Sequence, residues 1–273
     1  MTRMRCLIVC GLLLASGGPG CRPPERNVRN LVLTGSPGMT PLLREIGKRF
    51  EESHADVHVD VQTRGSTTGA VDARQGLADI GMVARVLKPD ESTLHAIPIA
   101  RDGVCFVVHR SNPVASLRDD QIVNMYTRGV SNWKEVGGPD RPITLIHMAD
   151  GGSIAELFLD HLKLKSTQIR ADAIVQSSEQ GVQAVAERPG AIGYVSCSHV
   201  KGVGEKVPIR TLPSGGIEPT AEHVHDGTYP LSRPLNLVTR DEPKGLAKEF
   251  IDFARSNAAV DLIEKYHYVP LEK

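Results

Sequence analysis

The chain has 273 residues, its 32 Lys+Arg balance 32 Asp+Glu, and aromatic residues make up only 4%. That length supports one or two domains with ample material for a core. Balanced, scattered charge excludes a nucleic-acid footprint or a polybasic membrane patch, and so few aromatics argue against a base-stacking surface.

Met1 to Gly20 carries Arg3 and Arg5, then the apolar CLIVCGLLLA, then small residues up to Cys21. This is the layout of a secretory signal, too short to span a membrane. Cleavage before Cys21 leaves a cysteine for lipidation and membrane anchoring, with the polar RPPERNVRN as a tether through residue 30. Gly18 stands where such signals usually have Leu, and ordinary cleavage after Gly17 is the alternative. Cys6 and Cys10 are lost either way. Cys105 and Cys197 are expected as separate buried thiols, with a disulfide, which export permits, as the alternative.

Leu31 to Thr34 is strand-like and empties into GSPGMTP, after which Leu42, Leu43, Ile46 and Phe50 form one apolar helical face. Val57 to Gln62 runs through Arg64 into GSTTG and a helix over Thr67 to Gln75. Strands are then expected at Ile80 to Val83, Ile97 to Ala100 and Val104 to Val108, and a helix at Asp119 to Tyr126. Ile143 to Ile146 ends in HMADGGS before a helix over Ile154 to Leu164, followed by Ala173 to Gln176, Glu179 to Glu187 and Ala191 to Val195. Beyond Lys206 the chain is Pro/Gly-rich up to Pro234, then gives a strand at Leu235 to Thr239 and helices at Lys244 to Arg255 and Ala259 to Tyr266. This alternation means an α/β fold with helices packed on sheets.

Three of these units share one design, a strand, a Gly/Ser/Thr turn and a helix. Such a turn presents unpaired N–H groups and hydroxyls at the positive end of a helix dipole, which suits an anion. One alone could equally be an ordinary Ser/Thr cap. Three together favour helix N-termini converging on one anionic ligand.

The turns sit in phrases that together resemble the substrate-binding proteins of phosphate ABC transporters: GSPGMTPLLREIGKRFE, VDVQTRGSTTGAVDARQGLADIGMVAR, IARDGVCFVVHRSNPV, SNWKEVGG, PGAIGYVS, YPLSRPLNLVT, FIDFARS and YHYVP. The resemblance runs from Leu31 to Pro270. It implies a two-lobed type-2 periplasmic binding protein fold with the ligand cleft between lobes: lobe one over 31–103 and 233–273, lobe two over 104–232. Crossing strands near Asp102 to Val108 and Tyr229 to Thr239 would form the hinge. It further implies capture of inorganic phosphate by hinge closure, delivery to an ABC permease, a monomer, and no cofactor.

Carried over residue by residue, the family's ligand turns fall on Ser36, Pro37 and Gly38, with Met39 following; on Gly65, Ser66 and Thr67; on Ala84 and Arg85; and on Gly151, Gly152 and Ser153. The chain departs from the family at Pro37 and Ala84, which lack the usual hydroxyl, and at Met148, Gly152 and Ile154, where relatives carry a cation before the Gly/Ser group and a Thr after it. These departures put the identity of the anion in question. Arg64, where relatives have a small residue, is expected either to supply the missing cation together with Arg85 or to point away into solvent.

Two other functions compete. Ser153 with His147 and Asp150 could be a hydrolase site, but GGSIA lacks the second glycine of G-x-S-x-G. An anion-sensing or adhesion lipoprotein of the same fold is the other. His54 with His58, and His223 with His225, lack a third ligand for a metal.

Overall fold

The computed structural model describes residues 28–271. The expected signal segment, Cys21 and the first part of the expected tether lie outside them. The first strand begins at Arg29, inside the stretch read as tether, because Arg29 donates its N–H to the Asp56 carbonyl and its Nε to the Asp56 carboxylate, both at 2.8 Å.

The elements in order are β1 (Arg29–Gly35), α1 (Thr40–Ser53), β2 (Val57–Thr63), α2 (Ser66–Gln75), β3 (Ile80–Val83), β4 (His95–His109), α3 (Asp119–Tyr126), β5 (Thr144–Met148), α4 (Ser153–Leu162) and β6 (Ala173–Val175). They continue with α5 (Ser178–Ala186), β7 (Ala191–Ser196), α6 (Cys197–Val203), β8 (Ile209–Leu212), α7 (Ala221–His225), β9 (Ser232–Thr239), α8 (Gly245–Ala254), α9 (Asn257–Lys265) and β10 (Val269–Pro270). In α1 the buried Leu42, Leu43, Ile46 and Phe50 form the apolar stripe, Pro41 sits in the first turn where its missing N–H costs nothing, and a left-handed Gly76 ends α2.

The strands lie in the order β2-β1-β3-β9-β4-β7-β5-β6, with β8 and β10 also paired to β4. The two stretches expected as separate strands around Asp102 are one strand, β4. Its first part pairs antiparallel with β9 from His95 to Gly103, and its second part pairs with β7 and β8 from Val104 to His109. Asp102 and Gly103 suggest a break because a charge and a glycine are poor strand formers. The break is averted because Asp102 faces Arg233 directly across the ladder. The Pro/Gly-rich stretch after Lys206 also holds β8 and α7, which its composition conceals.

One hydrophobic cluster gathers Leu31 to Ala100 with Leu235 to Tyr268, and a larger one gathers Val104 to Leu231 with Val269. In the larger cluster Phe158 stacks on Tyr194 at 3.9 Å, and Tyr126 meets both edge-on. His147 completes this group: its Nδ1 is 2.7 Å from the Tyr194 hydroxyl, which also accepts the Met148 N–H. Trp133 is fully buried and donates Nε1–H to the Gly190 carbonyl. Cys105 and Cys197 are free, buried thiols.

Helix α2 owes its place to glycines. A Cβ on Gly69 would fall 2.6 Å from the Thr34 carbonyl oxygen and 2.8 Å from Gly35 Cα, and one on Gly81 would fall 2.4 Å from the Gly69 carbonyl oxygen. The backbone of α2 therefore rests directly on β1 and β3. Gly69→Val is expected to destabilise the fold by about 1–3 kcal/mol, since the obstructing atoms are backbone and cannot turn aside. Urea unfolding measures this, and a midpoint equal to the parent's would mean that α2 can lift off the sheet freely.

Burial pushes His147 below the ordinary imidazole value, and Asp150 nearby opposes this without cancelling it. His199 is lowered by burial in the same way. The unfolded chain therefore binds these protons more readily, so the stability from the neutral forms is present above about pH 6.5 and is lost as pH falls below it. Between about pH 7.5 and about pH 5.5 the unfolding free energy should fall, and His147→Gln should flatten that slope. An unchanged slope in the variant would remove His147 from the account.

Candidate functional site

The three strand-turn-helix units bring their turns to one cleft of about 950 Å³ between the two clusters, bordered by Ser36, Gly38, Arg64, Gly65 and the whole of Met148 to Ala155. Their helices, α1, α2 and α4, have no side-chain cap, a property they share with α3, α6 and α8, and it is their convergence on one cleft that sets them apart. An uncapped N-terminus leaves its N–H groups for solvent or a ligand.

The turns do not offer equal numbers of donors. In the first, the Ser36 N–H goes to the Met82 carbonyl, and the Ser36 carbonyl accepts the N–H groups of Met39 and Thr40. Pro37 has no N–H. Only the Gly38 N–H is left without an acceptor among the described residues. Met39, expected at the ligand, is instead a core residue: its thioether side chain is buried in the first cluster and its N–H is consumed within the turn.

In the second turn the Gly35 carbonyl accepts both Arg64 N–H at 2.9 Å and Gly65 N–H at 2.8 Å, welding this turn to the end of β1. Gly65 has φ +94°, a conformation that suits glycine. Ser66, Thr67 and Thr68 then present unpaired N–H groups. The Ser66 hydroxyl accepts the Ala84 N–H at 3.2 Å, and the Thr67 hydroxyl accepts from Arg85 at 3.3 Å. Neither oxygen borders the cleft, although Gly65 does. In the turn before α4, Gly151 has φ +79°, and Ser153, Ile154 and Ala155 have unpaired N–H groups.

Arg85 is a correction. Its side chain is 7% exposed, donates two hydrogen bonds to the Glu91 carboxylate at 2.6 and 2.8 Å, and has Nε 2.8 Å from the Glu156 carboxylate. Burial works against the charge of both Arg85 and Glu91, and their mutual bonds override it, holding Arg85 above its ordinary value and Glu91 below. Lys88 also donates to Glu156, at 2.7 Å. The guanidinium expected in the cleft is therefore committed to carboxylates 6 and 71 residues away. Arg64 does border the cleft, with a side chain 55% exposed and Nη1 3.8 Å from Asp72.

The cation that sequence reasoning missed is Arg233 of β9. It is 3% exposed and borders the cleft. Nη2 donates to Asp102 at 2.8 Å, and Nη1 donates to the Ser153 hydroxyl at 2.9 Å and the Ala84 carbonyl at 3.4 Å. Asp102 also accepts from the Ser196 hydroxyl and the Ser198 N–H. The available signal was a charge inside each of two strand-like runs, in IARDGVCFVV and in SRPLNLVT. Ser153 is thus bound to Arg233, and His147 Nδ1 to Tyr194, so the nucleophile and base of a hydrolase are not brought together.

Residues 22–258 match the model of a PBP superfamily domain. The chain is 29% identical over 263 residues to the phosphate-binding protein PstS of Bacillus subtilis, covering 94% of this chain and 85% of that one. Among solved structures, it is similar to a Clostridium perfringens protein assigned to the phosphate ABC transporter substrate-binding proteins and solved with bound phosphate, with a TM-score of 0.79 and 30% identity over 89% of this chain and 100% of that one. An ABC-type phosphate transport receptor from Vibrio cholerae gives a TM-score of 0.78 and 28% identity over 88% of this chain and 99% of that one. Matched over most of its length in both sequence and fold, the chain belongs to the PBP superfamily and has its two-lobed type-2 periplasmic binding protein fold.

Proposed function

We propose that this protein captures inorganic phosphate by closing its two lobes and delivers it to an ABC permease, without catalysing a reaction. The observation that carries this is the set of uncapped N-termini of α2 and α4, facing one cleft with Gly38 of the α1 turn beside them. N–H groups satisfy a tetrahedral oxyanion from several sides without placing a fixed counter-charge on it. The relatives named for phosphate binding and phosphate transport support the same ligand. The lobes divide at 103/104 and 232/233, with β4 and β9 as the hinge. Export with a lipid on Cys21 is part of the proposal and rests on the layout of the first 21 residues, while the monomeric state rests on the family resemblance.

A second reading, an anion sensor of altered specificity, is favoured by one observation: Ala84 offers neither a hydroxyl nor a free backbone group, since its N–H is bound by Ser66 and its carbonyl by Arg233. Calorimetry with phosphate against sulfate separates the two.

Phosphate at about 100 times its dissociation constant should stabilise the fold by about 2.7 kcal/mol, several degrees in melting temperature for a chain of this size. No shift at millimolar phosphate overturns the proposal. Arg64 is expected to contribute as a half-exposed charge at the cleft mouth rather than as a buried partner. Arg64→Ala should therefore weaken phosphate binding by no more than about fivefold, the upper end for an exposed ion pair, and calorimetry of the variant gives the answer.

A further inference from the structure

Ser153 opens α4 and carries the one side-chain hydroxyl of its turn. A serine hydroxyl has a single proton to donate, while a guanidinium nitrogen can only donate. The 2.9 Å bond from Arg233 Nη1 therefore fixes Ser153 Oγ as an acceptor. No acceptor for the Ser153 O–H exists among the described residues, and Ser153 borders the cleft, so its proton is free for a ligand there.

Arg233 is itself held rigidly. Asp102 grips it from directly opposite on β4, and Asp102 is fixed by Ser196 and Ser198 from the second lobe. The Arg233 Nε–H is buried and has no acceptor, so the guanidinium is not fully satisfied by the protein. Neither other arginine reaches this position: Arg85 is taken by Glu91 and Glu156, and Arg64 stands beside Asp72. A lysine offers an ammonium on a flexible stem, not a planar fork that serves Asp102 and Ser153 at once.

We propose that Arg233 is the positioning residue of the oxyanion site: clamped by Asp102 across the hinge strands, it turns the Ser153 hydroxyl into an obligatory donor to the anion at the N-terminus of α4. The inference rests on the phosphate reading above and adds to it the residue on which affinity depends. It also explains how a turn whose usual cation position is Met148 can still receive an anion. The cation comes from β9, and it acts through serine.

The test is calorimetric titration of the full chain with inorganic phosphate, for the parent, Arg233→Lys, Ser153→Ala, Ser153→Thr and the Arg233→Lys/Ser153→Ala double variant, with the melting temperature of each. Arg233→Lys and Ser153→Ala should each bind about tenfold more weakly or worse, while Ser153→Thr, which keeps a hydroxyl, stays close to the parent. The double variant should be no more than about threefold weaker than the poorer single variant, because both changes remove one interaction. Losses that multiply in the double variant overturn the proposal, as they would mean that Arg233 acts independently of Ser153. Should Arg233→Lys fail to fold, Ser153→Ala decides, since it leaves the Arg233–Asp102 pair in place: binding within about threefold of the parent overturns the proposal, and a tenfold loss that Ser153→Thr avoids upholds it. A parent that binds no phosphate overturns the phosphate reading and this inference together. A parent that binds while the variants match it overturns this inference alone.

Discussion

The antiparallel pairing of β4 with β9 is the constraint on which the rest of the architecture depends. Strand β4 begins beside β9 in the first cluster and ends beside β7 and β8 in the second, so one continuous backbone belongs to both cores. Midway along it, Asp102 and Arg233 meet across the ladder. An ion pair buried to this degree is expensive to desolvate, and a pair of apolar residues would often be at least as stable. Its retention here is intelligible if the pair does more than hold strands together, since its hydrogen bonds reach Ser153, Ser196 and Ser198 in the second lobe and Ala84 in the first.

The turns that border the cleft are built outward from the same sheet. The Gly35 carbonyl ends β1 and accepts the N–H groups of Arg64 and Gly65, so the turns after β1 and β2 form one piece. Glycines 69 and 81 let α2 approach closely enough for Ser66 to reach the Ala84 N–H at the end of β3. Close packing of backbone on backbone gives the site its rigidity. Helix α4, packed on the larger cluster, has its first turn tied to β9 and to the stretch after β3, by Ser153 through Arg233 and by Glu156 through Arg85 and Lys88.

Much of this was legible in sequence. Local signals placed β3 and α3 to the residue, found α2 within one residue and identified the buried face of α1, because apolar periodicity and turn glycines are local properties. The three turns that meet at the cleft were legible for the same reason. What local signals could not carry was the partner of a side chain. Arg85 lies in a turn of the right kind, yet its partner Glu156 is on a helix of the other lobe, and only the fold brings them together. Arg233 and Asp102 are separated by 131 residues, and each alone resembles an interruption of a strand. Met39 reads as a cleft residue because a turn residue pointing into a core has the same neighbours in sequence as one pointing into a cleft.

The arginines around the ligand turns also have a collective property. Arg64 stands by Asp72, Arg233 by Asp102, and Arg85 with Lys88 by Glu91 and Glu156, so each set carries its own counter-charge. Fields from such compensated sets die away within a few ångströms, unlike the field of a cluster of one sign. An anion approaching this cleft is consequently not drawn in from a distance by these groups; it meets oriented N–H and O–H dipoles only on arrival. These compensated sets therefore add little long-range attraction for salt to screen, and salt leaves contact hydrogen bonds nearly untouched.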